Sequence, residues 1–138
     1  MRVEVRSRIP GASGGVPAVL VELAEQHTTT RELIGCAVAE QIRVLRADRV
    51  RCRIALDRQY LSAKEIHAQV ATGVVRMPPR LPAEADVATE VARALRAFER
   101  NVFTVFVGGR QVDGLDEEIV VRLGEPVVFL RMTPLAGG

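Results

Sequence analysis

The sequence predicts an α+β fold, a mixed sheet crossed by a helix, with a helical insertion at about 47–101. Three observations carry that reading. Apolar residues alternate with polar ones near both ends of the 138-residue chain, the period of half-buried strands. A capping signal followed by apolar residues at three- and four-residue spacing marks a helix after the first strands. The middle of the chain carries a second helical pattern behind a proline-rich connector.

In order, R-V-E-V-R-S-R-I (2–9) places Val3, Val5 and Ile9 on one face and arginines and Glu4 on the other. P-G-A-S-G-G (10–15) has turn chemistry. A-V-L-V-E-L-A (18–24) then aligns Val19, Val21 and Leu23, so the two segments form a hairpin. Thr29 followed by Glu32 is a capping box that starts a helix near Thr30. Ile34, Val38, Ile42 and Leu45, flanked by Leu33 and Ala37, give it one apolar stripe, with Cys36 beside them. Val50, Cys52, Ile54 and Leu56 alternate with Arg49, Arg51, Arg53 and Ala55, the pattern of a short strand with arginines on one face. Ser62 to Glu65 is a second capping box, opening a short helix to about Ala71. M-P-P-R-L-P (77–82) cannot be helical, and a helix is expected from about Ala83 to Arg100 with Val87, Val91, Leu95 and Phe98 on its apolar face. F-T-V-F-V (103–107) is strongly β-forming. Gly108-Gly109 turns the chain into a short strand around Gln111 and Val112, and 115–123 reads as irregular or a single helical turn. P-V-V-F-L-R-M (126–132) is the last strand, expected to lie parallel beside the first with the helix as crossover. The chain from 1 to 132 is expected to be one domain and 133–138 a flexible tail.

Composition narrows function. Nineteen bases are answered by 17 acids, which excludes a one-sided basic surface for nucleic acid. No apolar run approaches the ~20 residues of a membrane span, and the N-terminus alternates instead of forming a signal core; a cytoplasmic protein without membrane contact is expected. Cys36 and Cys52 fit no metal-ligand pattern and read as two buried free thiols. His27 and His67 form no catalytic arrangement, and His67 reads as a surface residue. Asp113, Asp116, Glu117 and Glu118 lack calcium-loop spacing and read as a solvated acidic loop. Neither a metal site nor catalytic residues are expected, so the chain reads as a non-enzyme. Of its 19 basic residues one, Lys64, is a lysine.

Three segments, in order, resemble the ubiquitin-like β-grasp family. V-F-V-G-G-R-Q-V-D-G (105–114) is similar to the I-F-A-G-K-Q-L-E-D-G segment of ubiquitin. L-G-E-P-V-V-F-L (123–130) resembles the D-G-D-E-V-A-F segment of the sulfur-carrier branch, and P-L-A-G-G (134–138) resembles the P-P-V-A-G-G ending of those carriers. The resemblance covers about 2–46 and 102–138 and implies a β-grasp roll, with 47–101 as an insertion that could cap the sheet, make a homo-oligomer face or hold an enzyme. It implies that the Gly138 carboxylate, after Gly137, is adenylated by a ubiquitin-activating-type enzyme at the expense of ATP, with no cofactor bound by the chain itself. Pro134, Leu135 and Ala136 would be the tail read by that enzyme, and Val105 and Met132 the sheet positions for partner docking or, in another register, core. Pro134 stands where ubiquitin has arginine, which points to a bacterial-type activating enzyme.

The leading expectation is a ubiquitin-like protein modifier passed to a target protein, with a conjugating enzyme and a processing or deconjugating peptidase as further partners. Self-conjugation would use Lys64 or the Met1 amine. The alternatives are a sulfur carrier bearing a C-terminal thiocarboxylate for cofactor or amino-acid biosynthesis, and a non-conjugated β-grasp interaction or assembly module.

Overall fold

A computed structural model describes residues 1–10, 16–46, 49–65 and 86–132. The expected connector at 77–82, most of the short helix after Ser62, and the tail from 133 to 138 lie outside the described residues.

Strand β1 (Arg2–Arg8) pairs antiparallel with β2 (Val19–Glu22), with Val3 opposite Val21 and Val5 opposite Val19. The period-two pattern sends these four valines and Leu23 into the core, while Arg2, Glu4, Arg6 and Leu20 stay exposed. β3 (His27–Thr29) follows, then α1 (Thr30–Leu45). The Thr29 hydroxyl accepts from the Glu32 amide at 3.2 Å, the expected cap. The Glu32 carboxylate accepts instead from Thr28 Oγ1 at 2.9 Å. The predicted stripe of Leu33, Ile34, Ala37, Val38, Ile42 and Leu45 is buried throughout.

α2 (Arg49–Tyr60) corrects the expected strand around 50–56. Alternation and a helical stripe coincide over a few residues. What separates them is Ile54, half exposed, between the buried Cys52 and Ala55, Leu56, Tyr60. Those four buried residues step by three, one and four, a helical face, and arginine and alanine favour helix over strand. The arginines therefore do not share a strand face. Beyond α2 the Ser62 box closes as expected: the Ser62 amide donates to Glu65 Oε1 at 3.2 Å and the Glu65 amide to Ser62 Oγ at 3.1 Å.

α3 (Val87–Glu99) is capped by Asp86, whose carboxylate accepts from the Thr89 amide at 3.0 Å. The expected start at Ala83 lies outside the described residues. Its buried positions are Glu90, Ala94, Ala97 and Phe98, with Val91 and Leu95 partly covered and Val87 exposed. The inner face is thus rotated from the predicted one because Glu90 turns inward to an arginine of α2. Asn101, at φ 59°, ends the helix. Its amide bonds Phe98 O and the Val102 amide bonds Ala97 O, the paired contacts of a left-handed helix stop.

β4 (Phe103–Val107) and β5 (Arg110–Val112) form a hairpin over Gly108 and Gly109, both at positive φ as a two-residue turn of this hand requires. β6 (Glu118–Val120) pairs antiparallel with β3 in a separate two-stranded sheet, correcting the irregular reading of 115–123. Each of these strands has three residues, too few for an alternation to register. β7 (Val127–Arg131) completes the main sheet.

That sheet has the order β2-β1-β7-β4-β5. β1 and β7 are parallel, with Val5 beside Val127 and Arg8 beside Leu130, and the other pairs are antiparallel. The fold is therefore α+β, a five-stranded mixed sheet with helices. α1, α2 and α3 contribute to one core against the sheet. The Phe103 ring lies 5.3 Å from Tyr60 of α2, 5.9 Å from Phe98 of α3 and 5.5 Å from Phe129 of β7. The helices of the 47–101 segment thus cover the same sheet face as α1.

Candidate functional site

An outer sheet face and a buried polar set meet at the end of β7. The first is the outer face of the central strands. The register aligns Arg6 of β1, Val128 of β7 and Phe106 of β4 in one row, and Arg8, Leu130 and Thr104 in the next. Phe106, Val128 and Leu130 are half-buried, Thr104 is buried, and Arg6 and Arg8 are exposed. Met132, in the same alternation, is 49% exposed. An apolar strip thus runs along β7 and β4 with guanidinium groups on its β1 side.

Met132 belongs to this face, but Val105 does not. Val105 is fully buried, opposite Phe129 in the inward set, so its expected docking role is corrected to core. A one-residue difference in register exchanges the two faces, and Phe106 is the outward residue that the sequence reading passed over.

The second is a buried polar set at the root of the residues that follow β7. Arg131 is 1% exposed. Its Nη1 donates to the carbonyls of Arg58 at 3.2 Å and Gln59 at 3.3 Å, at the end of α2. Burial pulls its pKa down and the nearby Glu65 carboxylate pulls it up. Gln59 Nε2 donates to Phe129 O at 3.4 Å. Tyr60 donates its hydroxyl to Gln41 Oε1 at 2.8 Å, and Gln41 Nε2 donates to Ser7 Oγ at 3.3 Å. Burial pushes the Tyr60 phenol up, against the Gln41 contact. Sequence reasoning missed this polar set, although parity alone puts 127, 129 and 131 on one face of β7.

Between α2 and α3, Arg53 forks onto Glu90 with Nη1–Oε2 at 3.0 Å and Nη2–Oε1 at 2.9 Å, and its Nε reaches Asp57 at 3.1 Å. Arg93 stands 3.6 Å from Asp57 and 3.7 Å from Glu90. Burial alone would raise the Glu90 pKa, but the hydrogen bonds and charge of Arg53, then Arg93, hold it below the usual 4.5. Burial dominates at Asp57, which rises despite Arg53.

Of the remaining sequence candidates, Lys64 is exposed beside the Ser62 cap. The Met1 ammonium donates to Leu23 O at 2.9 Å and Glu22 Oε1 at 3.2 Å. Pro134, Leu135, Ala136, Gly137 and Gly138 lie outside the described residues, as does His67. Cys52 is buried, but Cys36 is exposed on α1, correcting the pair of buried thiols: helical phase turns it off the Leu33–Ala37 stripe. Asp113, Asp116, Glu117 and Glu118 are exposed, Asp116 accepting from Arg31 Nε at 3.1 Å. Among the described residues no group of three His, Cys, Asp or Glu side chains is placed to hold a metal ion, and no helix is long and apolar enough to cross a membrane.

Compared with known protein families, with curated proteins and with solved structures, the chain gives no match in any of the three.

Proposed function

We propose that this chain is a ubiquitin-like modifier of β-grasp type, whose Gly138 carboxylate is activated by an adenylating enzyme and transferred to a target protein. The observation that supports it best is the sheet order β2-β1-β7-β4-β5 with β1 and β7 parallel. That order surrounds a crossing helix and delivers the chain from its central strand directly to T-P-L-A-G-G (133–138). Central placement of the last strand brings Met132 to the end of the Phe106–Val128–Leu130 strip, which supports a partner that engages this face together with the residues that follow in sequence.

The chemistry asks little of the chain. The Gly138 carboxylate attacks the α-phosphorus of ATP and pyrophosphate leaves. An enzyme thiol then displaces AMP, and a target amine displaces the thiol. Glycine without a Cβ passes through a narrow active-site entry, and Pro134 favours an extended approach. Gly138 serves whether it is encoded at the terminus or exposed by a processing peptidase.

The similarity of P-L-A-G-G to the sulfur-carrier endings favours a second reading, in which sulfur replaces one oxygen of the Gly138 carboxylate. Tagged chain recovered from its native host and analysed by intact mass separates the two. Higher-mass species carrying Gly138 in an isopeptide bond support the modifier. A terminus with sulfur in place of oxygen supports the carrier. Unmodified chain alone, with function retained after deletion of Gly137 and Gly138, supports an interaction module and removes both.

A further inference from the structure

We propose that the helices of the 47–101 segment clamp the root of the C-terminal residues, with Arg131 as the positioning residue. Arg131 is the last residue of β7, on the side of the strand where Val127 and Phe129 are apolar and fully buried. A guanidinium there carries a desolvation penalty that an apolar residue would avoid. Its partners explain the choice. The carbonyls of Arg58 and Gln59 belong to the last turn of α2, where carbonyls have no helical partner and the helix dipole favours a cation. Gln59 adds a second link from the same turn to Phe129 O. Tyr60, through Gln41, anchors that turn to α1 and β1.

Where α3 hands the chain to β4, the β4–β7 ladder extends one step beyond the Phe103–Arg131 pair to the next residue. Val102 leaves α3 through its left-handed stop, and its carbonyl accepts from the Met132 amide at 2.9 Å. Residues 131 and 132 are therefore held by the exit of α2 on one side and the exit of α3 on the other. The two helix exits thus fix the positions of Arg131 and Met132, the root of the C-terminal residues. For a carboxylate that must reach an active site while the sheet face is docked, a fixed root converts part of the search into preorganised geometry. This consequence rests on the proposed function; the clamp itself does not.

Native-state hydrogen exchange on the full chain tests the clamp without any partner. Arg131→Met keeps the volume and removes the donors. Met132 and Leu61, whose amides bond Val102 O and Asp57 O, should then exchange at least about ten-fold faster while the Val5 and Val105 amides stay within about two-fold. Arg131→Lys should fall between Arg131→Met and the parent chain. An equal rise at all four amides marks a merely structural arginine and overturns the clamp, as does an unchanged Met132. With an activating enzyme, Arg131→Met should raise KM for adenylation about five-fold at nearly constant kcat, and Arg131→Lys should recover part of it. Unchanged KM overturns the positioning role. If the parent chain is not adenylated, the proposed function fails and the exchange result alone decides the clamp.

Discussion

Neighbouring residues on β4 have opposite fates. Val105 has no exposed surface, while Phe106 is half-buried on the outer face. Val105→Ala should cost about 2 kcal/mol in urea unfolding through lost burial and a residual cavity. Phe106→Ala should cost less and, under the proposed function, slow adenylation more. The Arg53 cluster makes a prediction about pH. Glu90 has a folded pKa below the usual 4.5, so its contribution is present above the unfolded value and lost as pH falls through the lowered one. Asp57 is shifted upward and acts oppositely, its contribution fading as pH rises through its folded value. Glu90→Gln should cost about 2–3 kcal/mol at neutral pH and flatten the loss of stability below about pH 4.5; a titration of unfolding midpoints against pH checks both.

At the scale of elements, the phase of α2 is the sharpest test. In a strand, residues 54 and 56 would share a face. In the helix, Leu56 is 1% exposed and Ile54 50%. Leu56→Ala should therefore cost about 2–5 kcal/mol, while Ile54→Gln should stay within about 0.5 kcal/mol. α1 was legible because its cap and its six-residue stripe agree, two independent signals for one element. α2 was not, because R-V-R-C-R-I-A-L satisfies both periods, and the weak helix preference of arginine and alanine decides only together with packing against α1 and Phe103. β3 and β6 were illegible for a different reason: each exists through its partner, and pairs 27–29 with 118–120 across most of the chain. The outer apolar strip was half legible, since alternation on β4 was visible but its register came only from pairing with β7.

For the whole molecule, the proposed chemistry resides in residues that the core does not require. Deleting Gly137 and Gly138 should leave unfolding free energy within about 0.5 kcal/mol and abolish conjugates on a denaturing gel. If self-linked chains form, Lys64→Arg should eliminate them. The Met1 ammonium is already committed to Leu23 O and Glu22, whereas Lys64 is exposed. The parallel contact of β1 with β7 has one more consequence, in time. Val5 cannot find Val127 until the chain through β7 has left the ribosome, and pairing over such separations is intrinsically slow. The growing polypeptide meanwhile holds β1 and β4 without the strand that belongs between them, a state chaperones would shelter. Closure of the sheet then requires synthesis through β7. A product that stops short of β7 lacks the middle of the outer strip, so a partner that reads this face would leave truncated chains alone.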